Sequence, residues 1–190
     1  SGDSVDEFAQ EIEETTKKTE ELNETIRTNR KTHEDNMTAI KAEADMNRDL
    51  IDELDDLMSA ESRTAEQKNR IQGIIYQLNQ SIPELNAAYD AQRDKLSLKD
   101  KTVEQYIAEK EAQLKVEELE QAMEQNYQNQ KDVRAQLAEI EEQITTAKQN
   151  QATAQAHINE LENQLYSNGG TKMNPTKELT QAEQTPGEAK

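Results

Sequence analysis

A repeat of apolar and small side chains over the first 58 residues is the feature that most restricts the fold. Steps of three and four alternate along the repeat, a spacing that turns one stripe of a helix toward a partner helix. The stripe comprises Val5, Phe8, Ile12, Thr15, Thr19, Leu22 and Ile26, then Met37, Ile40, Ala44, Asn47, Ile51, Leu54 and Met58. Asn29 and His33 lie between the two runs, where two successive steps of four form a stutter. The sequence therefore predicts a long coiled-coil helix over residues 4–58.

The composition excludes a thick globular core and leaves two possibilities, long helices or a disordered chain. The 190 residues are 33% charged and 3% aromatic, with a net charge of −18 and neither Trp nor Cys. Low hydrophobicity with such a charge favours disorder, but the many Glu, Gln, Lys, Ala and Leu residues favour long helices. The excess of acid repels phosphate backbones and anionic lipid surfaces. The apolar runs are far shorter than the ~20 residues of a membrane-spanning helix. We therefore expect neither a nucleic-acid partner nor a membrane contact for this segment.

Residues 59–101 break the repeat and read as a compact insert at the tip of a helical hairpin. Thr64 and Gln67 have the spacing of a capping box, and Pro83 ends the helix that starts there, so a short helix is predicted over 64–82. Weak alternation from Leu85 to Leu98 leaves a small β-hairpin open. The apolar and aromatic residues predicted to interact at the tip are Ile71, Ile75, Leu78, Ile82, Pro83 and Tyr89.

A second long helix is predicted over 102–166, with Asp100 as its cap. Its stripe starts with Val103 and Ile107, changes phase near Lys115, and then becomes more regular. The later stripe comprises Val116, Leu119, Met123, Asn126, Gln130, Val133, Leu137, Ile140, Ile144, Ala147, Gln151, Ala154, Ile158, Leu161 and Leu165. Asn168 and two glycines end the helix in the usual way. Residues 167–190, with their prolines, are predicted to be a disordered tail.

Two long stripes around a compact insert predict an all-α fold: a long antiparallel coiled-coil hairpin with a small helical tip insert. In the expected register Met58 lies opposite Val103, Ile12 lies near Gln151, and His33 lies near Asn126. The coiled-coil seam residues are predicted to be Phe8, Ile12, Leu22, Ile26, His33, Met37, Ile40, Ile51, Leu54, Leu137, Ile140, Ile144, Ile158 and Leu161. Because two thin helices bury little area, we expect either modest stability or association with further copies, and of the two we favour self-association.

The residue pattern favours no catalytic, cofactor or metal site. The acidic run from Asp49 to Asp56 has no glycine turn of the kind that calcium loops need, so it reads as a solvated face. His33 and His157 are not at the spacings that place two metal ligands on one helical face. We interpret His33 as a polar seam residue that sets the register. No nucleophile elbow or phosphate loop is present, and we expect the chain not to be an enzyme.

The insert and its flanks resemble a segment of phage and prophage tail tape measure proteins. The most specific stretch is Ile82-Pro83-Glu84-Leu85 followed by Ala88-Tyr89-Asp90, after which Leu96-Ser97-Leu98 leads into another long helix. The resemblance covers about residues 5 to 130. It implies a structural module of the virion tail, assembled in the host cytoplasm, that acts in tail assembly and tail length determination. It also implies partners among the tail tube and other tail proteins, and no catalytic residues in this segment.

A second interpretation of the same pattern is a coiled-coil binding module or surface adhesin. In that case the tip would recognise a protein ligand, and the proline-containing tail would serve as a linker. The two interpretations share the hairpin and differ in what the tip contacts.

Overall fold

The computed structural model describes residues 2–99 and 101–167, and these are mostly helical. Its elements in chain order are α1 (Gly2–Ser59), α2 (Ala65–Ser81), a 3-10 turn (Pro83–Leu85), β1 (Ala88–Asp90), β2 (Lys95–Ser97) and α3 (Val103–Ser167). The helices predicted over 4–58, 64–82 and 102–166 correspond to α1, α2 and α3. The predicted cap Asp100 and the predicted tail beyond Ser167 lie outside the described residues.

The chain divides into two compact units. One unit is Thr16–Arg134, which contains most of α1, the insert and the first half of α3. The other unit combines Ser1–Thr15 with Ala135–Lys190, of which the described part consists of the start of α1 and the second half of α3.

The apolar core lies in the unit Thr16–Arg134, where the insert packs between α1 and α3. α2 contributes four buried residues, and every third or fourth position of the helix faces inward. The buried apolar residues are Ala44, Leu50, Leu54, Ile71, Ile74, Ile75, Leu78, Ile82, Leu85, Ala87, Val103, Tyr106 and Ile107. The insert supplies most of this cluster, and the long helices contribute the rest, from Ala44 to Leu54 of α1 and from Val103 to Ile107 of α3.

The β-hairpin that the sequence left open is present. β1 and β2 pair antiparallel, with Tyr89 opposite Leu96. The carboxylate of Asp90 accepts hydrogen bonds from the amides of Gln92 and Arg93, at 3.0 and 3.1 Å, which forms the turn. Asp94 closes the turn in the left-handed conformation, with φ of 53°.

The junction between α1 and α2 is set by two neighbouring residues. Thr64 forms the predicted capping box: its hydroxyl accepts from the Gln67 amide at 3.1 Å, and its own amide donates to Gln67 Oε1 at 2.9 Å. Arg63 donates to the carbonyls of Leu57, Met58 and Ala60, at 3.2, 3.1 and 2.9 Å. Because the last carbonyls of a helix have no partner within it, the Arg63 guanidinium caps the C-terminus of α1.

Candidate interaction surfaces

The seam predicted on α1 largely faces inward. Leu54 is buried, and Phe8, Leu22, Ile26, His33, Met37, Ile40 and Ile51 are half-buried. Ile12 differs, since it is exposed. The stripe on α1 thus marks the face that the tertiary structure covers, apart from Val5 and Ile12 near its start.

The seam predicted on α3 is mostly not the covered face. Leu137, Ile144, Ile158 and Leu161 are exposed, and of the predicted α3 set only Ile140 is half-buried. The covered positions after Lys115 include Glu118, Ala122, Gln136 and Gln143, which the prediction left outside the seam. The reason is that α3 carries two stripes, an apolar one and a polar one, and α1 contacts the polar stripe.

Within Thr16–Arg134, glutamates of α3 bind polar side chains of α1. Arg48 donates from Nε to Glu104 at 3.2 Å and from Nη2 to Glu111 at 2.9 Å. His33 Nδ1 lies 3.0 Å from Glu118 Oε1. Hydrogen bonds from Lys115 and then Arg48 lower the pKa of Glu111, while its partial burial opposes this. These glutamates recur every seven residues, a signal that was visible in the sequence.

In the other unit, Thr15 is the centre of the contacts between α1 and α3. Its side chain is buried, and its hydroxyl donates to the Glu11 carbonyl at 2.9 Å and lies 3.2 Å from Glu139 Oε1. Gln143 donates to the same hydroxyl at 2.6 Å, and Gln136 donates to the Thr15 carbonyl at 3.1 Å. The cluster is polar, so hydrogen bonds replace apolar layers here.

The observed pairs differ from the expected register by about one heptad. His33, expected near Asn126, contacts Glu118, and Gln143 instead of Gln151 lies near the start of α1. His33 and Asn126, which were expected to lie near each other, do line one open groove of about 170 Å³ together with Asn29. A shift by one heptad returns the same face of a helix to its partner, so the repeat itself does not distinguish the two registers.

Most residues predicted to interact at the tip form its core instead. Ile71, Ile75, Leu78 and Ile82 are buried, and the Tyr89 side chain is half-buried; Pro83 alone of the predicted set is exposed. Tyr76, which lies outside the predicted set and outside the apolar stripe of α2, is 66% exposed.

Arg63, Asp94 and Tyr89 form a polar cluster under the β-hairpin. Arg63 Nε donates to Asp94 Oδ1 at 2.7 Å, and the Tyr89 hydroxyl donates to the same oxygen. The hydrogen bond from Arg63, followed by that from Tyr89, lowers the pKa of Asp94 to about 2. Burial, together with the neighbouring carboxylate, raises the pKa of Tyr89. The cluster ties the hairpin to the end of α1, which is a structural role.

One carboxylate of the acidic run is held by a cation from the insert. Arg70 donates two hydrogen bonds of 2.7 Å to Glu53, one to each oxygen. This bidentate contact lowers the pKa of Glu53 and raises that of Arg70. The insert thus compensates part of the acidic charge near the C-terminus of α1.

In residues 2–99 and 101–167, no group of three or more His, Asp or Glu side chains is placed to hold a metal ion. No helix within the described ranges has an apolar stretch long enough to cross a membrane. No protein-family model, no curated protein and no solved structure matches this chain.

Proposed function

We propose that this chain is a non-catalytic structural module in which α1 and α3 form an antiparallel coiled coil, acting in phage tail assembly and length determination. The observation that carries the helix pairing is the order of the contacts. Arg48 reaches Glu104 and Glu111, whereas His33, earlier in α1, reaches Glu118, later in α3. In an antiparallel pair, residues later in one helix contact residues earlier in the other, which is the order seen here.

The tail assignment is supported by the place of the resembling residues in the fold. The stretch most similar to tape measure proteins, Ile82 to Asp90, runs through the packed insert, with Ile82, Leu85 and Ala87 in its core. Residues of this kind are constrained by packing and not by chemistry. A chain whose best-defined feature is a packed insert between long helices suits a scaffold better than an enzyme.

Cysteine pairs test the coiled coil, because the chain has no cysteine of its own. His33→Cys combined with Glu118→Cys should form an intramolecular disulfide under mild oxidation. The matched control, His33→Cys with Gln130→Cys, moves the second thiol by about three helical turns, roughly 18 Å. Equal cross-linking of both pairs, or a disulfide only between two chains, would refute the antiparallel pairing.

A matched deletion tests the tail assignment. Removal of 18–31 from α1 together with 121–134 from α3 takes two heptads from each helix and leaves the insert intact. Tails assembled with the shortened protein should be shorter by about 42 Å if the module is extended, or by about 21 Å if it stays folded on itself. Tail length is read by electron microscopy, with Tyr76→Ala as the control that leaves it unchanged. A length equal to that of the wild type would refute the assignment.

The exposed Tyr76 favours a second candidate, a module that docks a protein ligand through its tip. A large aromatic side chain on a rigid element is a common anchor of protein interfaces. In that case Tyr76→Ala abolishes ligand binding without unfolding the tip. In the leading proposal the same variant leaves tail assembly intact.

A further inference from the structure

Apart from the half-buried Ile140, the apolar stripe of α3 is exposed over four heptads. From Leu137 to Leu165 the residues at the two seam positions of each heptad are Leu137, Ile140, Ile144, Ala147, Gln151, Ala154, Ile158, Leu161 and Leu165. Ile144 is 49% exposed, Ile158 47% and Leu165 63%. In this unit α1 contacts the neighbouring polar stripe, at Gln136, Glu139 and Gln143. The side of α3 most suited to a helix partner is therefore the side that α1 does not use.

We propose that this stripe pairs with the same stripe of a second copy of the chain, parallel and in register. A strict seven-residue repeat sustained over four heptads is typical of helices that supercoil around a partner. The stripe would run for about 42 Å along α3. The inference is independent of the tail assignment, because it rests on the face of α3 that α1 leaves exposed.

The charges beside the stripe are compatible with a second copy despite the net charge of −18. The first seam position of each heptad is occupied by Leu137, Ile144, Gln151 or Ile158. In a parallel pair, the residue just before this position faces the residue five positions later on the other helix. Beyond the residues that bond to α1, which include Gln136 and Gln143, these facing pairs are Asn150 with Gln155 and His157 with Glu162. None joins two like charges. In a fully overlapping antiparallel pair, Glu141 would face Glu162 of the second copy at both ends, which is unfavourable.

Gln151 fixes the register of this pair. In the parallel arrangement the two copies of Gln151 meet in the same layer, where their amides can bond to each other. A slip by one heptad would set Gln151 against Ile144 or Ile158 and leave its amide buried without a partner, which costs about 1–3 kcal/mol. A single polar layer in an apolar stripe is a common device for fixing register and orientation.

Single-cysteine variants of the full chain test the orientation. Ala147→Cys lies on the stripe and should give a disulfide-linked dimer under mild oxidation. Ala156→Cys, an equally small change on the exposed opposite face of α3, should stay monomeric on a non-reducing gel. An antiparallel pair would instead join Ala147→Cys of one copy to Ile158→Cys of another. That result, or equal cross-linking of the two alanine variants, would overturn the proposal.

Light scattering tests the association itself. The wild-type chain should have the mass of two chains at tens of micromolar. Ile158→Lys should weaken the association at least about tenfold because it buries an unpaired charge in the seam, while its helical circular dichroism stays unchanged. Ala156→Lys should remain a dimer. A monomeric or trimeric wild-type chain would overturn the proposal; the disulfide between His33→Cys and Glu118→Cys reports separately on α1 and α3.

Discussion

Truncation of Ile74 should lower the stability of the insert by about 4 kcal/mol. Ile74 has 0% of its side chain exposed and lies in the core shared by α1, α2 and α3. Ile74→Ala removes three carbon groups, which at about 0.8 kcal/mol each gives about 2.4 kcal/mol of lost transfer free energy. The cavity left in a close-packed site raises the total cost toward about 4 kcal/mol.

The measurement is unfolding in guanidinium chloride, followed by the helical circular dichroism signal. With a slope of about 4 kcal/mol per molar, the midpoint should fall by about 1 M while the slope stays the same. Ile74→Val, which removes one carbon, should cost about 1 kcal/mol. Tyr76→Ala, two residues away on the exposed face of α2, should stay within about 0.5 kcal/mol of the wild type.

Two results would refute this reasoning. If Ile74→Ala costs less than about 1 kcal/mol, the insert has no close-packed core at this position. If Ile74→Ala and Tyr76→Ala cost the same, the inward and outward faces of α2 are not those described.

Three further predictions concern polar groups of the insert. Thr64→Ala should destabilise the chain by about 1 kcal/mol through loss of the capping box, while Thr64→Ser should retain most of the stability; identical midpoints for all three proteins would contradict this. Asn79→Ala should cost about 2–3 kcal/mol in the same denaturation assay, because the Asn79 side chain donates to the Ala87 carbonyl at 2.8 Å and accepts from its amide at 2.9 Å; a change below about 0.5 kcal/mol would count against these bonds. Stability should fall as the pH drops from about 4 toward 2, since the pKa of Asp94 is about 2 in the folded chain against a usual 3.8, and the unfolded chain is protonated first. Asp94→Asn should flatten this part of the pH profile, measured by thermal melts, and Glu84→Gln should not.

Local patterns in the sequence predicted most of the secondary structure. The three helices, the capping box at Thr64 and the apolar face of α2 follow from helical periodicity and short-range hydrogen bonding. The weak alternation around the turn before Lys95 left open the β-hairpin that the structure contains. Each of these features depends on residues within a few positions of one another.

Contacts between distant residues were not predictable in the same way. Arg63 contacts three carbonyls at the end of α1 and a carboxylate of the hairpin, and no short-range pattern links these groups. The tip residues Ile71, Leu78 and Ile82 were predicted to interact at the tip, and in the structure they are buried in its core. An apolar stripe predicts that one face of a helix will be buried, but it does not predict which element buries that face.

The sequence by itself determined that the chain forms long helices with repeating stripes and a short insert, because periodicity acts along one helix at a time. Only the tertiary structure decided which stripe of α3 faces α1 and in which register. A shift by one heptad leaves every side chain on the same face, so the repeat accepts several registers almost equally. Leu54 of α1, Ile74 of α2 and Ile107 of α3 share one core, a contact between distant residues that ties the last turns of α1 to the first turns of α3.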